Sequence, residues 1–105
     1  GNTPLFYGSK NGHLEIVKYL VDMKANIEAK DEEDEYRYTP LMCGSENGHL
    51  DIVKYLVDMK ANIEAENQSG MTPLIRGSKN GHLDIVKFLV DMKANIEAKN
   101  RDGQT

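Results

Sequence analysis

GSKNGHLEIVKYLVDMKANIEAK occupies residues 8–30, and the chain repeats this stretch twice more. The second copy, GSENGHLDIVKYLVDMKANIEAE, occupies residues 44–66, and the third, GSKNGHLDIVKFLVDMKANIEAK, occupies residues 77–99. Any two copies differ at only two or three positions. Thr-Pro-Leu precedes each copy, beginning at Thr3, Thr39 and Thr72, so the units start 36 and then 33 residues apart. A period near 33 residues predicts a stacked array of small helical units.

Composition and charge argue against several classes of partner. The 105 residues form one domain by length, with 39% hydrophobic and 29% charged residues. Lysines alternate with acids along the chain and the net charge is −4, so no phosphate-neutralising face is predicted. No apolar run approaches the roughly 20 residues that cross a bilayer. We therefore expect neither nucleic acid nor a membrane as a partner.

The single cysteine bears on the cellular location of the protein, and the two ends of the sequence bear on its number of repeat units. Cys43 has no second cysteine to pair with, which favours a reducing compartment, and we expect an intracellular, cytoplasmic location. The sequence begins and ends inside a unit, so we expect three units from a longer array or a consensus design, without capping units. Uncapped units expose apolar surface, which predicts end-to-end self-stacking.

Each unit is predicted to open with a short helix. Thr3 is a suitable N-cap, and Pro4 suits the first helical position, where its missing N–H costs nothing. Asn11 and Gly12 tolerate the left-handed conformation of a helix end. Gly8 recurs mid-helix in every unit, although glycine there costs about 0.5–1 kcal/mol against alanine. We interpret it as a place where another backbone passes close by.

A second helix is expected from about His13 to Met23, followed by a polar turn. Its polar residues Glu15, Lys18 and Asp22 form one narrow stripe, and nearly all its other residues are apolar. A helix with so wide an apolar arc needs cover on several sides. Its short partner helix cannot supply that cover, so the neighbouring units must, as in a solenoid. The second junction, Asn-Gln-Ser-Gly at 67–70, has the composition of a tight turn.

The chain resembles the ankyrin repeat family across essentially all 105 residues, since it combines Thr-Pro-Leu, Asn-Gly-His, an apolar helix and Ala-Asn-Ile at this period. The resemblance implies an all-α ankyrin-repeat solenoid of helix-turn-helix units with β-hairpin-like finger loops. It implies a single domain over 1–105, with repeats at about 3–38, 39–71 and 72–104. It also implies binding of other proteins through the finger loops and the concave face of the inner helices, without catalysis.

Three features depart from the family pattern. The usual histidine after Thr-Pro-Leu is absent, so packing must replace its hydrogen bonds, and its positions hold Phe6, Met42 and Ile75. The glycine that usually ends the second helix is also absent, and its positions hold Lys24, Lys60 and Lys93. A lysine that stays left-handed there costs on the order of 1 kcal/mol. The first junction, DEEDEYRY at 31–38, is three residues longer than its counterpart and lacks a turn glycine.

The positions that differ between the units are not scattered. They lie in the junction loops, directly after each Thr-Pro-Leu, and further along the first helix, which by the family geometry faces the concave side. A constant scaffold with variable chemistry on one face is typical of a recognition surface, although loops also vary where nothing constrains them. We therefore predict a partner-binding surface of ten residues, namely Tyr7, Tyr36, Arg37, Tyr38, Cys43, Glu46, Gln68, Met71, Arg76 and Lys79.

The first junction indicates the chemistry of that partner. Five acids at 31–35 stand beside Tyr36, Arg37 and Tyr38. Tyrosine and arginine are enriched among the residues that dominate binding energy, and acids speed the encounter with a basic partner. We expect another protein or a peptide, of basic charge. The alternative is that the two tyrosines fold back onto a neighbouring unit and brace a long loop.

No pattern predicts a catalytic residue, a cofactor or a metal site. His13, His49 and His82 occupy the same place in successive units, and stacked helices lie about 8–10 Å apart, too far to share one ion. A role in closing the turn into the second helix is favoured for them. Cys43 has no assignable acid–base partner and is interpreted as a packing residue. The acidic run 31–35 lacks the glycine and distal glutamate of a calcium loop.

Two functions remain open from the sequence. The first is a protein–protein interaction scaffold, which is favoured by the variation on one face. The second is a structural spacer or a consensus-designed scaffold without a binding role of its own. The near-identity of the copies favours this second function.

Overall fold

The computed structural model describes residues 3–30, 37–97 and 99, and these contain six helices and no strand. The helices are α1 (Pro4–Asn11), α2 (Leu14–Asp22), α3 (Pro40–Glu46), α4 (Leu50–Asp58), α5 (Pro73–Lys79) and α6 (Leu83–Asp91). The all-α class expected from the sequence is confirmed. The acidic run 31–35 and Tyr36 lie outside the described residues.

The six helices form three pairs that stack in chain order. α1 packs on α2, α3 on α4, and α5 on α6, and we call these pairs the first, second and third units. The inner helices α1, α3 and α5 form one layer, and the outer helices α2, α4 and α6 form the other. The core lies between the layers and includes Leu5, Val17, Leu41, Ile52, Val53, Leu56, Leu74, Ile85 and Leu89.

Each inner helix begins at the predicted threonine cap. The hydroxyls of Thr3, Thr39 and Thr72 accept hydrogen bonds of 3.1, 3.3 and 3.3 Å from backbone N–H groups three residues later. Those N–H groups belong to Phe6, Met42 and Ile75, the residues that stand where the family usually has histidine. All three side chains are buried, so packing replaces the hydrogen bonds of the histidine, as expected.

Each outer helix ends in a left-handed lysine. Lys24, Lys60 and Lys93 have φ values of 72°, 74° and 74°. At the end of α4 the Lys60 N–H donates to the Val57 carbonyl at 3.0 Å, and the Ala61 N–H donates to the Leu56 carbonyl at 2.9 Å. This is the Schellman arrangement, which is usually made with glycine. The expected strain at these lysines is therefore present in every unit.

The mid-helix glycines make room for side chains, and the expectation of a close backbone was wrong. A Cβ atom on Gly8 would lie 3.2 Å from Cγ2 of Val17, and one on Gly77 would lie 3.3 Å from Cγ2 of Ile85. The nearest backbone atom at Gly8 is 3.9 Å away. Glycine thus lets each inner helix approach the β-branched side chains of its own outer helix.

Burial of the outer helices depends on the neighbouring units, as the wide apolar arc predicts. Ile52 of α4 and Ile85 of α6 have no exposed surface, whereas Ile16, at the same place in α2, is 51% exposed. Leu83 of α6 is 63% exposed, whereas Leu14 and Leu50 are half-buried. Because these residues repeat the same sequence position, the difference comes from the packing of one unit on the next.

Replacing Lys60 with glycine tests the strain at the helix ends. Glycine has no Cβ to resist a φ of 74°, so Lys60→Gly should raise the free energy of unfolding by up to about 1 kcal/mol, less the entropy cost of glycine. Denaturant titration measures the change. Lys60→Ala is the matched control because it removes the side chain but keeps Cβ, and an equal gain from alanine would contradict the strain explanation.

Candidate functional site

Histidine side chains join consecutive units by hydrogen bonds. The His49 N–H closes the turn within its own unit by donating to the Gly44 carbonyl at 2.9 Å, as the sequence suggested. The His49 ring also contacts the preceding unit, because its Nε2–H donates to the Lys10 carbonyl of the first unit at 3.0 Å. His82 repeats this contact with the Glu46 carbonyl of the second unit at 2.9 Å. The histidines therefore fix each unit against the preceding one.

Glutamates after the outer helices make a second hydrogen bond between units. Oε2 of Glu28 accepts from the Asn62 N–H at 2.7 Å, and Oε2 of Glu64 accepts from the Asn95 N–H at 2.7 Å. Sequence reasoning missed this role, although the Ala-Asn-Ile-Glu segment recurs in every unit. Two directional hydrogen bonds between each pair of neighbouring units set the register of the stack and hence the relative positions of the inner helices.

Three of the ten predicted binding residues come together on the inner layer. Arg76 of α5 forms an ion pair with Glu46 of α3, and its guanidinium carbon lies 5.4 Å from the centre of the Tyr38 ring. The side chains of Arg76 and Glu46 are 13% and 27% exposed. We call Tyr38, Glu46 and Arg76 the variable patch. It draws one residue from each of the first junction, the second unit and the third unit.

The variable patch combines an aromatic ring with a paired carboxylate and guanidinium. The guanidinium of Arg76 is held between a carboxylate and an aromatic ring, a geometry that suits the planar arginine head group. Its Nε is buried and has no hydrogen-bond partner in the described ranges. A partly exposed tyrosine, carboxylate and guanidinium can together receive the polar and aromatic side chains that dominate protein interfaces.

The other predicted binding residues differ widely in exposure. Cys43 and Met71 are buried, Arg37 is half-buried with a φ of 54°, and Tyr7, Gln68 and Lys79 are exposed. Tyr7 packs edge-to-face on Phe6, with ring centres 5.2 Å apart. Tyr36 lies outside the described residues. Among the predicted binding residues that the structure describes, only Cys43 and Met71 are therefore closed to a partner, and the variable patch, Tyr7, Arg37, Gln68 and Lys79 retain exposed surface.

The second junction forms the turn that its sequence predicted. Oδ1 of Asn67 accepts from the N–H groups of Ser69 and Met71, each at 2.9 Å. The Asn67 N–H donates to the Met71 carbonyl at 3.1 Å, which closes the loop on itself. Asn67 is buried while Gln68 is exposed, so this finger presents Gln68 on a base held by hydrogen bonds. The sequence analysis included Asn67 in this turn but did not predict that its side chain holds the loop.

The outer layer carries a groove that the sequence analysis did not find. The groove has a volume of about 680 Å³. Along it, lysines of one unit lie over aromatic rings of the next unit. Lys18 Nζ lies 5.9 Å from the centre of the Tyr55 ring, and Lys54 Nζ lies 5.9 Å from the centre of the Phe88 ring. Burial raises the pKa of Tyr55, and the nearby carboxylates of Asp22 and Asp58 add to this rise in pKa. The walls of the groove carry both lysines and aspartates, so the groove favours neither an anionic nor a cationic ligand.

Within the described ranges, no three histidine, cysteine or acidic side chains cluster as metal ligands would. In His49 and His82 the Nε2 atom instead bonds a backbone carbonyl, and Cys43 is buried. No helix in the described part of the chain is long and apolar enough to span a bilayer.

Comparison with known families agrees with this architecture. The ankyrin repeats model (three copies) matches residues 29–100, and the single ankyrin repeat model matches residues 1–32. The chain belongs to the ankyrin repeat family, whose members are generally protein-interaction modules and typically not enzymes. No curated protein matches the chain by sequence.

Reversing the charge at Glu46 tests how firmly the variable patch is built. Glu46→Lys installs the residue found at this position in the other units and places a cation beside Arg76, so it should lower the free energy of unfolding by about 1 kcal/mol. Lys79→Glu is the matched control, because Lys79 is exposed at the same repeat position. Thermal or denaturant unfolding gives both values, and equal losses would mean that the ion pair adds nothing.

Proposed function

We propose that this chain binds another protein through the variable patch and the finger loops beside it. The observation that carries the proposal is the distribution of differences among nearly identical units. One repeated inner-helix position holds Tyr7, Cys43 and Arg76, and the position three residues later holds Lys10, Glu46 and Lys79. Packing alone would favour one size and charge at each position. Ankyrin repeats are generally protein-interaction modules, which supports the same reading.

The proposed partner is basic. Arg76 is already neutralised by Glu46, so the variable patch offers an arginine without excess positive charge. The first junction adds five acids at 31–35, and the whole chain has a net charge of −4. Such a field accelerates the approach of a cationic protein or peptide and makes its affinity fall as salt is added.

A structural spacer is the second candidate, and one contact favours it. Tyr38 of the first junction lies against Arg76 of the third unit, so the tyrosine can hold the long junction onto the stack without meeting any partner. The hydrogen bonds between neighbouring units also resist bending of the stack, which suits a spacer. The two functions differ in what the loss of Tyr38 affects, either binding or stability.

Selection of peptides displayed on phage tests the binding function. The immobilised chain should enrich lysine- and arginine-rich peptides, and these should bind Arg76→Ala and Tyr38→Ala variants at least tenfold more weakly, about 1.4 kcal/mol. Tyr36→Ala is tested in parallel, since the sequence analysis predicts that Tyr36 belongs to the same surface. Titration calorimetry at two salt concentrations measures the affinity, which should fall at the higher one.

Tyr19→Ala is the matched control for these variants. Tyr19 is an exposed tyrosine of the outer helix α2, so its loss should leave peptide affinity unchanged. Unchanged affinity in Tyr36→Ala and Tyr38→Ala together with a lower unfolding midpoint would refute the binding proposal and leave the spacer. Failure to enrich any peptide that depends on the variable patch would count against binding in the same way.

A further inference from the structure

A left-handed residue precedes both α3 and α5, and the two residues differ in kind. Two residues before each capping threonine the sequence has Gly1, Gly70 and Gly103, but before Thr39 it has Arg37. Gly70 has a φ of 76°, and Arg37 has a φ of 54°. Glycine adopts such angles freely, whereas the Cβ atom of any other residue makes them unfavourable. The first junction therefore keeps an arginine where the backbone favours glycine.

The side chain of Arg37 makes no polar contact with the described residues that would offset this strain. It is half-buried, and its Nε is buried without a hydrogen-bond acceptor. The one ion pair between described residues joins Arg76 to Glu46, so Arg37 has no carboxylate in that part of the chain. A charged donor that leaves water without finding an acceptor loses favourable hydration. Arg37 thus destabilises the free chain through both its backbone and its side chain.

Arg37 stands at the edge of the variable patch. The ring of the next residue, Tyr38, lies 5.4 Å from the guanidinium carbon of Arg76. Arg76 is paired with Glu46, and the Nε of Arg76 is also buried without an acceptor in the described ranges. The described residues of the first junction and the patch thus supply two guanidinium groups and one carboxylate. This surface lacks one negatively charged acceptor.

A carboxylate is the acceptor that fits an unpaired arginine. The guanidinium keeps its charge at neutral pH, and its planar fork of N–H donors matches the two oxygens of a carboxylate. Such charge-assisted hydrogen bonds are stronger than neutral ones. A phosphate group also matches the fork, but it carries about 1.5–2 negative charges at pH 7. A chain of net charge −4, with five acids at 31–35, repels that charge more than the single charge of a carboxylate.

We propose that Arg37 binds an aspartate or glutamate side chain of the partner, and so selects basic partners that carry one acidic residue at this place. The inference rests on the proposed function, since it assigns a specificity to the same surface. Because Arg37 is only half-buried, part of its side chain stays open to a partner. The net positive charge of the partner responds to the field of the whole chain, whereas its single carboxylate pairs with Arg37 on contact.

A double-mutant cycle between the chain and its peptides tests this pairing. The probes are the lysine- and arginine-rich peptides selected on the immobilised 105-residue chain, with each aspartate or glutamate replaced in turn by its amide. One such replacement should weaken binding to the unsubstituted chain at least about tenfold. The same replacement should leave the already weakened binding to Arg37→Met nearly unchanged, because the pair is already lost. Titration calorimetry measures all four affinities.

Lys87→Met is the matched control because it removes one cation from an exposed position of the outer helix α6. The amide replacement should weaken binding to this variant as much as it weakens binding to the unsubstituted chain. Arg37→Lys keeps the charge but lacks the planar fork, so it should recover only part of the affinity that Arg37→Met loses.

The stability of the free chain gives a second measurement that needs no peptide. Arg37→Met removes an unpaired charge and keeps an unbranched apolar stem, so its unfolding midpoint should be no lower than that of Lys87→Met. Thermal unfolding compares the two variants. A clearly lower midpoint for Arg37→Met would show that the guanidinium already has a partner within the chain, such as an acid of 31–35, and would overturn the inference.

The outcomes separate this inference from the proposed function. Selected peptides that lose affinity for Tyr38→Ala and Arg76→Ala, but contain no acid coupled to Arg37, would leave the binding function standing and overturn the carboxylate pairing. An acid that couples to Lys87 as strongly as to Arg37 would overturn it too, because only general charge would then be at work. If no peptide that depends on the variable patch is enriched, both proposals fail.

Discussion

Each outer helix carries more apolar surface than its own inner helix can cover, and the rest of the structure depends on how that surface is buried. α2, α4 and α6 have nearly the same sequence, yet Ile16 is half exposed where Ile52 and Ile85 are fully buried. Full burial of such a side chain contributes about 1.5–3 kcal/mol. A single unit therefore lacks the burial it needs, and stability comes from the stacking of one unit on the next.

Hydrogen bonds between units decide how they stack, since apolar burial has no direction of its own. The rings of His49 and His82 reach back to carbonyls of the preceding unit, and Glu28 and Glu64 reach forward to backbone N–H groups of the following unit. One contact lies near the inner helices and the other lies beyond the outer helices. Together they hold each unit against sliding and rotation, and they use residues present in every copy.

The variable patch is a consequence of that register. Tyr38, Glu46 and Arg76 are separated by 8 and 30 residues in the chain, and they meet only because α3 and α5 are fixed side by side. Arg76 occupies the repeat position where the first unit has Tyr7, and its ion pair with Glu46 exists because the second unit departs from the lysine of the other two. Small differences between copies therefore create a surface that no single unit contains.

The sequence by itself determined the repeat, because the same stretch recurs three times. It also determined the six helices and the threonine caps, because each of these follows from residues within a few positions of one another. It also marked the inner-helix positions that vary, since the copies can be compared directly. Only the tertiary structure decided that mid-helix glycines accommodate side chains such as Val17, that histidine rings bond the preceding unit, and that Met71 is buried. The physical reason is distance along the chain. A cap or a turn is settled by neighbours in sequence. The approach of Gly8 to Val17 depends on how two helices of one unit pack, and the inter-unit hydrogen bonds join residues 31 to 39 positions apart, so both are fixed only when helices and units pack.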